Sequence, residues 1–265
     1  MFDMEKYWAR IGFQPKENES KKDQLIRLHR CHALSIPLED LDPFCHVPVS
    51  LQLEDVFAKV VESRRGGYCF ELNQLFMHLL NEMGYDTLAV FCRPFSGEGL
   101  KLPLTHRLTV VALDGEHWLC AVGLGGNGWV EPLLVKPGLT QPQFGRSYCI
   151  VTDPELGYVV EWSRGDTTVK AVAFTLTEAE ESDFVMSNYY TSKFPSSPFV
   201  NRMMCVLPTL KGRYTIRDDL FTVERNGKKT EQKLTPGNFR GVLAEHFNIV
   251  LSEKMNEYIA RRLAE

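Results

Sequence analysis

The stretch Arg64-Arg65-Gly66-Gly67-Tyr68-Cys69-Phe70-Glu71-Leu72-Asn73 predicts a glycine turn followed by the start of a buried helix. Apolar residues then recur at the spacing of one helix face, and Gly84 lies where a C-terminal cap is expected. These apolar residues are Leu72, Leu75, Phe76, Leu79, Leu80 and Met83. At a helix N-terminus, unpaired N–H donors and a partial positive charge favour a thiolate over a thiol. We therefore expect the pKa of Cys69 to be lowered.

The composition is that of an ordinary soluble globular protein. Of the 265 residues, 44% are hydrophobic and 24% charged, and the net charge of −4 provides no basic surface for nucleic acid. Residues 1–6 are acidic and aromatic, and no apolar run of about 18 residues occurs, so we expect a cytoplasmic protein with no membrane partner. The oligomeric state leaves no trace in the sequence.

The cysteine pattern argues against both disulfides and a zinc ribbon. The seven cysteines form an odd set without a C-x-x-C pair, and no ligand-spaced group of His, Cys and Glu occurs, so no metal is expected. We expect the six cysteines other than Cys69 to be buried thiols.

Helical patterns before the glycine turn give way to alternating patterns after Gly84. Ser20 and Asp23 have the spacing of a capping box, and residues 53–62 form a second helical pattern. Strands are predicted at residues 87–93, 106–113, 116–122, 148–152 and 158–162.

The pair Asp114-Gly115 predicts a two-residue hairpin turn. In that register Leu113 faces Glu116 and Leu108 faces Ala121. Positions 106 and 121 then share a face of the sheet, with Cα atoms roughly 7–8 Å apart.

The last third is predicted as a mixed region. Residues 123–128 form a glycine-rich loop, and residues 187–190 and 194–199 are typical of a polar connection. Strands are predicted at residues 213–216, 221–225 and 229–234, with a turn at Asn226-Gly227, and helices at 239–247 and from 252 to the end.

A single cysteine at a helix start is more often an inert core thiol than a nucleophile. His106 changes this balance, because an imidazole that removes the thiol proton completes the minimal pair for covalent catalysis. For the remaining histidines, packing or solvation is a better explanation than a catalytic role. Residues 29, 32 and 78 lie in helical patterns, 246 lies near a helix end, and 46 and 117 have no evident partner.

Five motifs resemble those of the arylamine N-acetyltransferase family. R-G-G-Y-C-F-E-L-N at 65–73, T-H at 105–106 and V-G-L-G-G at 122–126 are similar to that family's R-G-G-x-C-x-E-x-N, T-H and D-V-G-F-G. I-P-L-E-D-L at 36–41 is similar to I-P-F-E-N-L, and S-S-P-F at 196–199 to S-S-x-F. The resemblance implies an α+β fold with a cysteine-protease-like core. Its parts would be a helical domain (1–84) with the nucleophile, a β-barrel-like domain (85–190) with the histidine and an α/β lid (191–265).

The resemblance also implies a reaction. In that family acetyl-CoA acylates the cysteine, and a small aromatic amine, hydrazine or arylhydroxylamine then takes the acetyl group in a ping-pong cycle. Cys69 would be the nucleophile and His106 the proton acceptor. The positions implied to line the CoA cleft are Thr105, Gly125, Gly126, Tyr190, Ser196 and Ser197. Leu38 and Leu124 replace two phenylalanines of the family's motifs and are expected to alter the acceptor pocket.

Ala121 departs from the family, which has its triad aspartate at this position. Alanine can neither orient an imidazole nor stabilise its cation, so we expect impaired activity. Three accounts stay open: a substitution made to disable the enzyme, a natural relative with a CoA- or aromatic-ligand-binding role, or another group that orients His106. Candidates for such a group are Asp114, Glu116, Asn127 and Glu131. A papain-like or transglutaminase-like hydrolase would use the same catalytic Cys/His pair.

Overall fold

A computed structural model describes residues 1–96 and 99–265, apart from the side chain of Asn127. The helices of this part are α1 (Met4–Ile11), α2 (Lys21–Ser35), α3 (Leu41–Phe44), α4 (Leu53–Phe57), α5 (Cys69–Glu82), α6 (Glu181–Lys193), α7 (Pro198–Asn201), α8 (Phe239–Phe247) and α9 (Glu253–Arg262). The strands are β1 (Leu38–Glu39), β2 (Asp86–Pro94), β3 (His106–Leu113), β4 (Glu116–Cys120), β5 (Leu133–Leu134), β6 (Thr140–Gln143), β7 (Arg146–Asp153), β8 (Gly157–Arg164), β9 (Thr167–Phe174), β10 (Met204–Thr209), β11 (Gly212–Arg217), β12 (Leu220–Arg225) and β13 (Lys228–Lys233). Within this part no helix has the length and apolar character needed to span a membrane.

Local sequence signals determine the first helices. Ser20 caps α2, because its hydroxyl accepts the backbone N–H of Asp23 at 3.1 Å, as the capping box predicts. The second helical pattern is one α-helical turn of α4 that continues as a π-helix over Ala58–Glu62. Helix α5 is nearly all buried, and Gly84 beyond its end has φ 76°, as its predicted capping position requires.

The larger sheet curls into a nearly closed barrel, with the strand order β5-β4-β3-β2-β9-β8-β7-β6. Pro137, just after β5, bridges to Ile150 of β7 and so links the two ends of the sheet. Side chains from most of these strands fill the interior, where Trp129 packs edge-on against Tyr148. The predicted hairpin is confirmed: Leu113 pairs with Glu116, and this register continues to Thr109 opposite Cys120.

The smaller sheet has the order β1-β10-β11-β12-β13 and packs against α8 and α9. Its first strand comes from the N-terminal part of the chain, with Leu38 opposite Val206 and Glu39 opposite Cys205. The I-P-L-E-D-L motif is therefore held between the helical region and the C-terminal sheet. Together these parts confirm the predicted α+β fold.

Two expectations were wrong. The segment 187–190 is not a connection but part of α6, whose inward positions include Asn188 and Thr191, so no apolar stripe marks the helix. The buried amide of Asn188 is satisfied, because its oxygen accepts the Tyr68 hydroxyl and its nitrogen donates to the Val49 carbonyl. Only three of the six cysteines expected to be buried are buried. These are Cys92, Cys120 and Cys205, whereas Cys31, Cys45 and Cys149 are partly exposed.

Candidate active site

Cys69 is the first residue of α5 and is almost fully buried. Asn73, one turn further, fixes this helix start to its surroundings. Its amide nitrogen donates to the carbonyls of Cys69 (3.1 Å) and Arg107 (2.8 Å), and its amide oxygen accepts the N–H of Val122 (3.0 Å). One side chain thus joins α5, strand β3 and the segment that follows β4.

The loop after β4 passes close to the cysteine because residue 123 is glycine. A Cβ atom on Gly123 would lie 3.1 Å from Cα of Cys69 and 3.3 Å from Cβ of Leu72, which is tighter than ordinary contact. The glycine-rich segment therefore approaches the helix start at its first glycine.

Glu71 caps the helix from within. Its carboxylate accepts the backbone N–H of Tyr68 at 3.0 Å and is bridged by Lys59 Nζ at 2.8 Å. Lys59 also contacts Asp42 at 2.6 Å. Because Glu71 is nearly inaccessible to water, its charge depends on the largely buried Lys59 for compensation.

Arg65 extends this buried ionic cluster towards β1. Its guanidinium lies 2.7 Å from Glu39 and 2.8 Å from Asp42. A Cβ atom on Gly66 would lie 2.2 Å from the Pro37 carbonyl oxygen, so only glycine permits the two chain segments to come this close. The arginine-glycine pair thus fixes the turn before Cys69.

His106 begins β3 and pairs with Cys92 of β2. Its ring is buried, and its Nε2 has no hydrogen-bond partner among the described residues. Burial lowers the pKa of His106 to about 3, because the cationic ring loses its hydration. The imidazole is therefore neutral near pH 7.

The sulfur of Cys69 lies at the start of the same strand. Its thiol contacts the carbonyl oxygen of Thr105, the residue before His106, at 3.9 Å. Burial raises the pKa of Cys69 to about 12, although the backbone N–H groups of Arg107 and Phe70 act in the opposite direction. The expected lowering of this pKa is wrong for the chain as it stands, because desolvation outweighs the amide dipoles.

Ala121 directly follows β4, one residue beyond the last observed pair of Thr109 with Cys120, at the position that the sequence predicts to lie near His106. Its backbone N–H donates to Nε2 of His29 at 3.0 Å, and Nδ1 of His29 lies 2.8 Å from the Val130 carbonyl oxygen. A carbonyl can only accept, so Nδ1 carries the proton and the ring is neutral. Burial lowers the pKa of His29 to about 4, which agrees with a neutral ring.

None of the described candidate acids contacts the His106 ring. Glu131 forms an ion pair with Arg30. Asp114 and Glu116 lie at the hairpin turn, beyond the far end of β3 from His106, about 23 Å away for a strand of this length. The side chain of Asn127 lies outside the described residues.

A small apolar cavity of about 20 Å³ adjoins Ala121. Leu38 and Leu124 both line it, together with Gly125 and Trp129. The two leucines at family phenylalanine positions are therefore brought together beside the residue at the triad position.

Comparison with known proteins agrees with this arrangement. A family described as N-acetyltransferase matches residues 22–256, which is most of the chain. The chain belongs to the arylamine N-acetyltransferase family. The arylamine N-acetyltransferase of Escherichia coli K12 is 29% identical over 262 residues, covering 97% of this chain and 92% of that protein. The structure of the Mycobacterium abscessus arylamine N-acetyltransferase superposes with a TM-score of 0.92 at 27% identity, covering 100% of this chain and 95% of the other.

The names of one similar structure and of one sequence relative include a ligand or a substrate. The Mycobacterium marinum arylamine N-acetyltransferase, described in complex with CoA, has a TM-score of 0.90 and is 25% identical, covering 98% of this chain and 99% of the other. A sequence relative from Salmonella typhimurium, 28% identical over 97% of this chain and 92% of its own length, is called an arylamine N-acetyltransferase / N-hydroxyarylamine O-acetyltransferase.

The positions assigned to the CoA cleft differ in accessibility. Tyr190 is 41% exposed on α6 and stacks on Phe194, and Ser196 is also exposed. Ser197 is buried, and its hydroxyl donates to the Thr191 carbonyl at 2.5 Å. The Gly126 carbonyl accepts bonds from two arginines, while Gly125 lines the apolar cavity. Their roles in binding CoA stay predictions.

Sequence reasoning missed the residues that hold the site together. Asn73 and Glu71 lie within the opening motif, but only their buried partners reveal what they do. His29 was assigned to packing, and its bonds to Ala121 and Val130 join positions 92 and 101 residues away in sequence. Such distant pairs leave no local pattern. Among residues 1–96 and 99–265, no group of three or more His, Cys, Asp or Glu side chains could hold a metal ion.

Proposed function

We propose that this chain is an acetyl-CoA-dependent arylamine N-acetyltransferase that works through an S-acetyl-Cys69 intermediate. The observation that carries the proposal is the position of Cys69, at a buried helix start with its sulfur against the strand that begins at His106. Membership of the family supports the same chemistry.

The relatives suggest the two substrates. CoA as the donor fragment is supported by the Mycobacterium marinum complex. Arylamines, and N-hydroxyarylamines, are supported as acceptors by the names of the Escherichia coli and Salmonella typhimurium proteins. The CoA cleft would include Thr105, Gly125, Gly126, Tyr190, Ser196 and Ser197.

In the first half-reaction the Cys69 sulfur attacks the thioester carbonyl carbon, and the bond from that carbon to the CoA sulfur breaks. His106 takes the thiol proton and passes it to the departing CoA thiolate. In the second half-reaction the acceptor nitrogen attacks the S-acetyl carbon, the bond to Cys69 breaks, and His106 moves the nitrogen proton to the cysteine sulfur. Each transfer exchanges one acyl bond for another, so no further reactant is needed.

Alanine at 121 would weaken both steps. His106 must become a cation when it accepts the proton, and neither Ala121 nor the neutral His29 behind it stabilises that charge. Removing the orienting acid costs about 10⁴ in kcat in a serine enzyme, and a thiol depends less on its base than a hydroxyl does. We infer that the chain is an impaired enzyme.

The experiment is acetyl transfer from acetyl-CoA to an arylamine, measured by release of CoA thiol. Slow turnover that is abolished in Cys69→Ser and accelerated in Ala121→Asp is the expected result. No turnover in either the chain or Ala121→Asp would refute the proposed chemistry.

A second candidate is a binding protein for CoA or an aromatic ligand, which the alanine at 121 and the protonated thiol favour. Unchanged ligand affinity without turnover, even in Ala121→Asp, would support that candidate.

A further inference from the structure

A pocket of about 240 Å³ lies where one end of the barrel meets the C-terminal sheet. Three arginines line it, each from a different strand: Arg146 from β7, Arg164 from β8 and Arg213 from β11. Glu224 of β12 is the one acidic residue of its described lining. The pocket shares Gly125 and Gly128 with the apolar cavity beside Ala121, so the two spaces adjoin.

The charges in this pocket do not balance. Glu224 forms an ion pair with Arg164 and lies 3.7 Å from Nε of Arg213. One carboxylate therefore faces three guanidinium groups, in a protein whose net charge is −4. Lys211 also lines the pocket, so four positive charges share one carboxylate and three of them have no counter-charge from the lining.

The excess arginines bond to a group without net charge. Arg146 and Arg213 each donate from a terminal nitrogen to the same carbonyl, that of Gly126. Placing two cations at one carbonyl costs Coulomb energy that a neutral acceptor does not return in full. Burial, and then the neighbouring charge of Arg146, lowers the pKa of Arg213 to about 10.

Donors for a ligand remain in this pocket. Nε of Arg213 is buried and has no hydrogen-bond partner among the described residues. The Arg146 guanidinium lies 4.1 Å above the Trp162 ring, which fixes its plane and leaves its edge available to an acceptor. Each guanidinium carries five N–H donors in a fork that matches a carboxylate or a phosphate.

We propose that the arginine pocket, defined by Arg146, Arg164 and Arg213, binds an oxyanion, either a carboxylate or a phosphate. Two guanidinium edges from different strands offer paired donors, and the anion supplies the missing counter-charge. The proposal concerns binding alone, and it holds whether or not Cys69 is acylated.

The two sources of the anion make different demands on the pocket. An aromatic carboxylate would keep its ring within the pocket of about 240 Å³, because the apolar cavity of about 20 Å³ beside Leu124 and Ala121 is too small for a ring. A free phosphate would need only the arginines. Benzoate and inorganic phosphate are therefore the two probes.

Binding of each probe to the full chain is measured by calorimetry. Arg213→Gln is expected to weaken binding of the preferred anion at least tenfold. Arg217→Gln on the same strand removes an equal charge from an exposed position outside the pocket lining. This variant should change the affinity for that anion less than twofold. Glu224→Gln removes the competing carboxylate and should tighten binding.

Arg164→Gln, with a side chain that is 42% exposed, provides a second loss variant should Arg213→Gln not fold. A purely structural role for the cluster predicts lower melting temperatures with no tightening in Glu224→Gln. Saturable binding of either anion with the expected order of variants supports the site. Absence of saturable binding of both probes, or equal weakening by Arg213→Gln and Arg217→Gln, overturns it.

Discussion

The backbone N–H of Ala121 donates a 3.0 Å hydrogen bond to Nε2 of His29, so a neutral ring from α2 holds the residue at the family's triad-acid position. This bond uses the main chain and therefore does not depend on which side chain residue 121 carries. The backbone is in this way already fixed for a carboxylate that the chain lacks. His106 lies two residues before Leu108 on β3, so the two side chains project from the same side of that strand, and Leu108 packs in the cluster that contains Ala121.

Ala121→Asp is expected to raise the acetyl-transfer rate by roughly 10² or more, because an adjacent carboxylate stabilises the imidazolium of His106. It should also raise the pKa of His106 above its present value of about 3. The matched control is Ala121→Asn, which has a similar shape without the charge. A rate increase in Ala121→Asn equal to that in Ala121→Asp would contradict this explanation.

The reactivity of Cys69 should depend steeply on pH. With a pKa of about 12, the thiolate fraction rises tenfold for each pH unit through the neutral and alkaline range. Alkylation of the Cys69 peptide by iodoacetamide, followed by mass spectrometry, should therefore show no plateau below about pH 10. A plateau near neutral pH in this chain would show that the thiolate is already formed.

His29 should make the protein sensitive to acid. Its folded pKa of about 4 lies below the unfolded value of 6.5, so its stabilising contribution is complete above pH 6.5 and falls as the pH decreases towards 4. The loss amounts to about 3 kcal/mol. Urea unfolding across this range should have a shallower pH dependence in His29→Asn. An equal pH dependence of unfolding in His29→Asn and in the unsubstituted chain would contradict this cause.

Arg65 and Arg64 are adjacent but should behave differently. Arg65 is buried between Glu39 and Asp42, so Arg65→Met leaves Glu39 without its counter-charge, although Asp42 keeps Lys59, and should cost about 3–5 kcal/mol of unfolding free energy. Arg64 is exposed, and Arg64→Met should stay within about 0.5 kcal/mol. Comparable losses for both variants in urea unfolding would disprove the buried ionic cluster as the cause.

Local signals explain which parts of the fold could be predicted. The Ser20 cap, the Asp114-Gly115 turn and the helix after Cys69 depend on residues close in sequence, and all three are confirmed. Helix α6 was missed because, apart from Phe184, its buried residues are an amide and two hydroxyl side chains, so no apolar stripe marks the helix. The domain borders at residues 84 and 190 stay predictions.

The site was harder to predict for an electrostatic reason. The residues around Cys69 predict its position at a helix start. Its pKa, however, depends on how deeply folding buries the thiol, and burial outweighs the helix dipole. The arginine pocket was missed because its members come from strands β7, β8 and β11, which are separated in the chain.

The most direct test of the proposed chemistry is intact-protein mass spectrometry after the chain is mixed with acetyl-CoA in the absence of an acceptor. The proposed chemistry predicts one acetyl group, mapped to Cys69, that forms slowly in this chain, faster in Ala121→Asp and not at all in Cys69→Ser. Failure of both the chain and Ala121→Asp to carry an acetyl group on Cys69 would refute an S-acetyl intermediate.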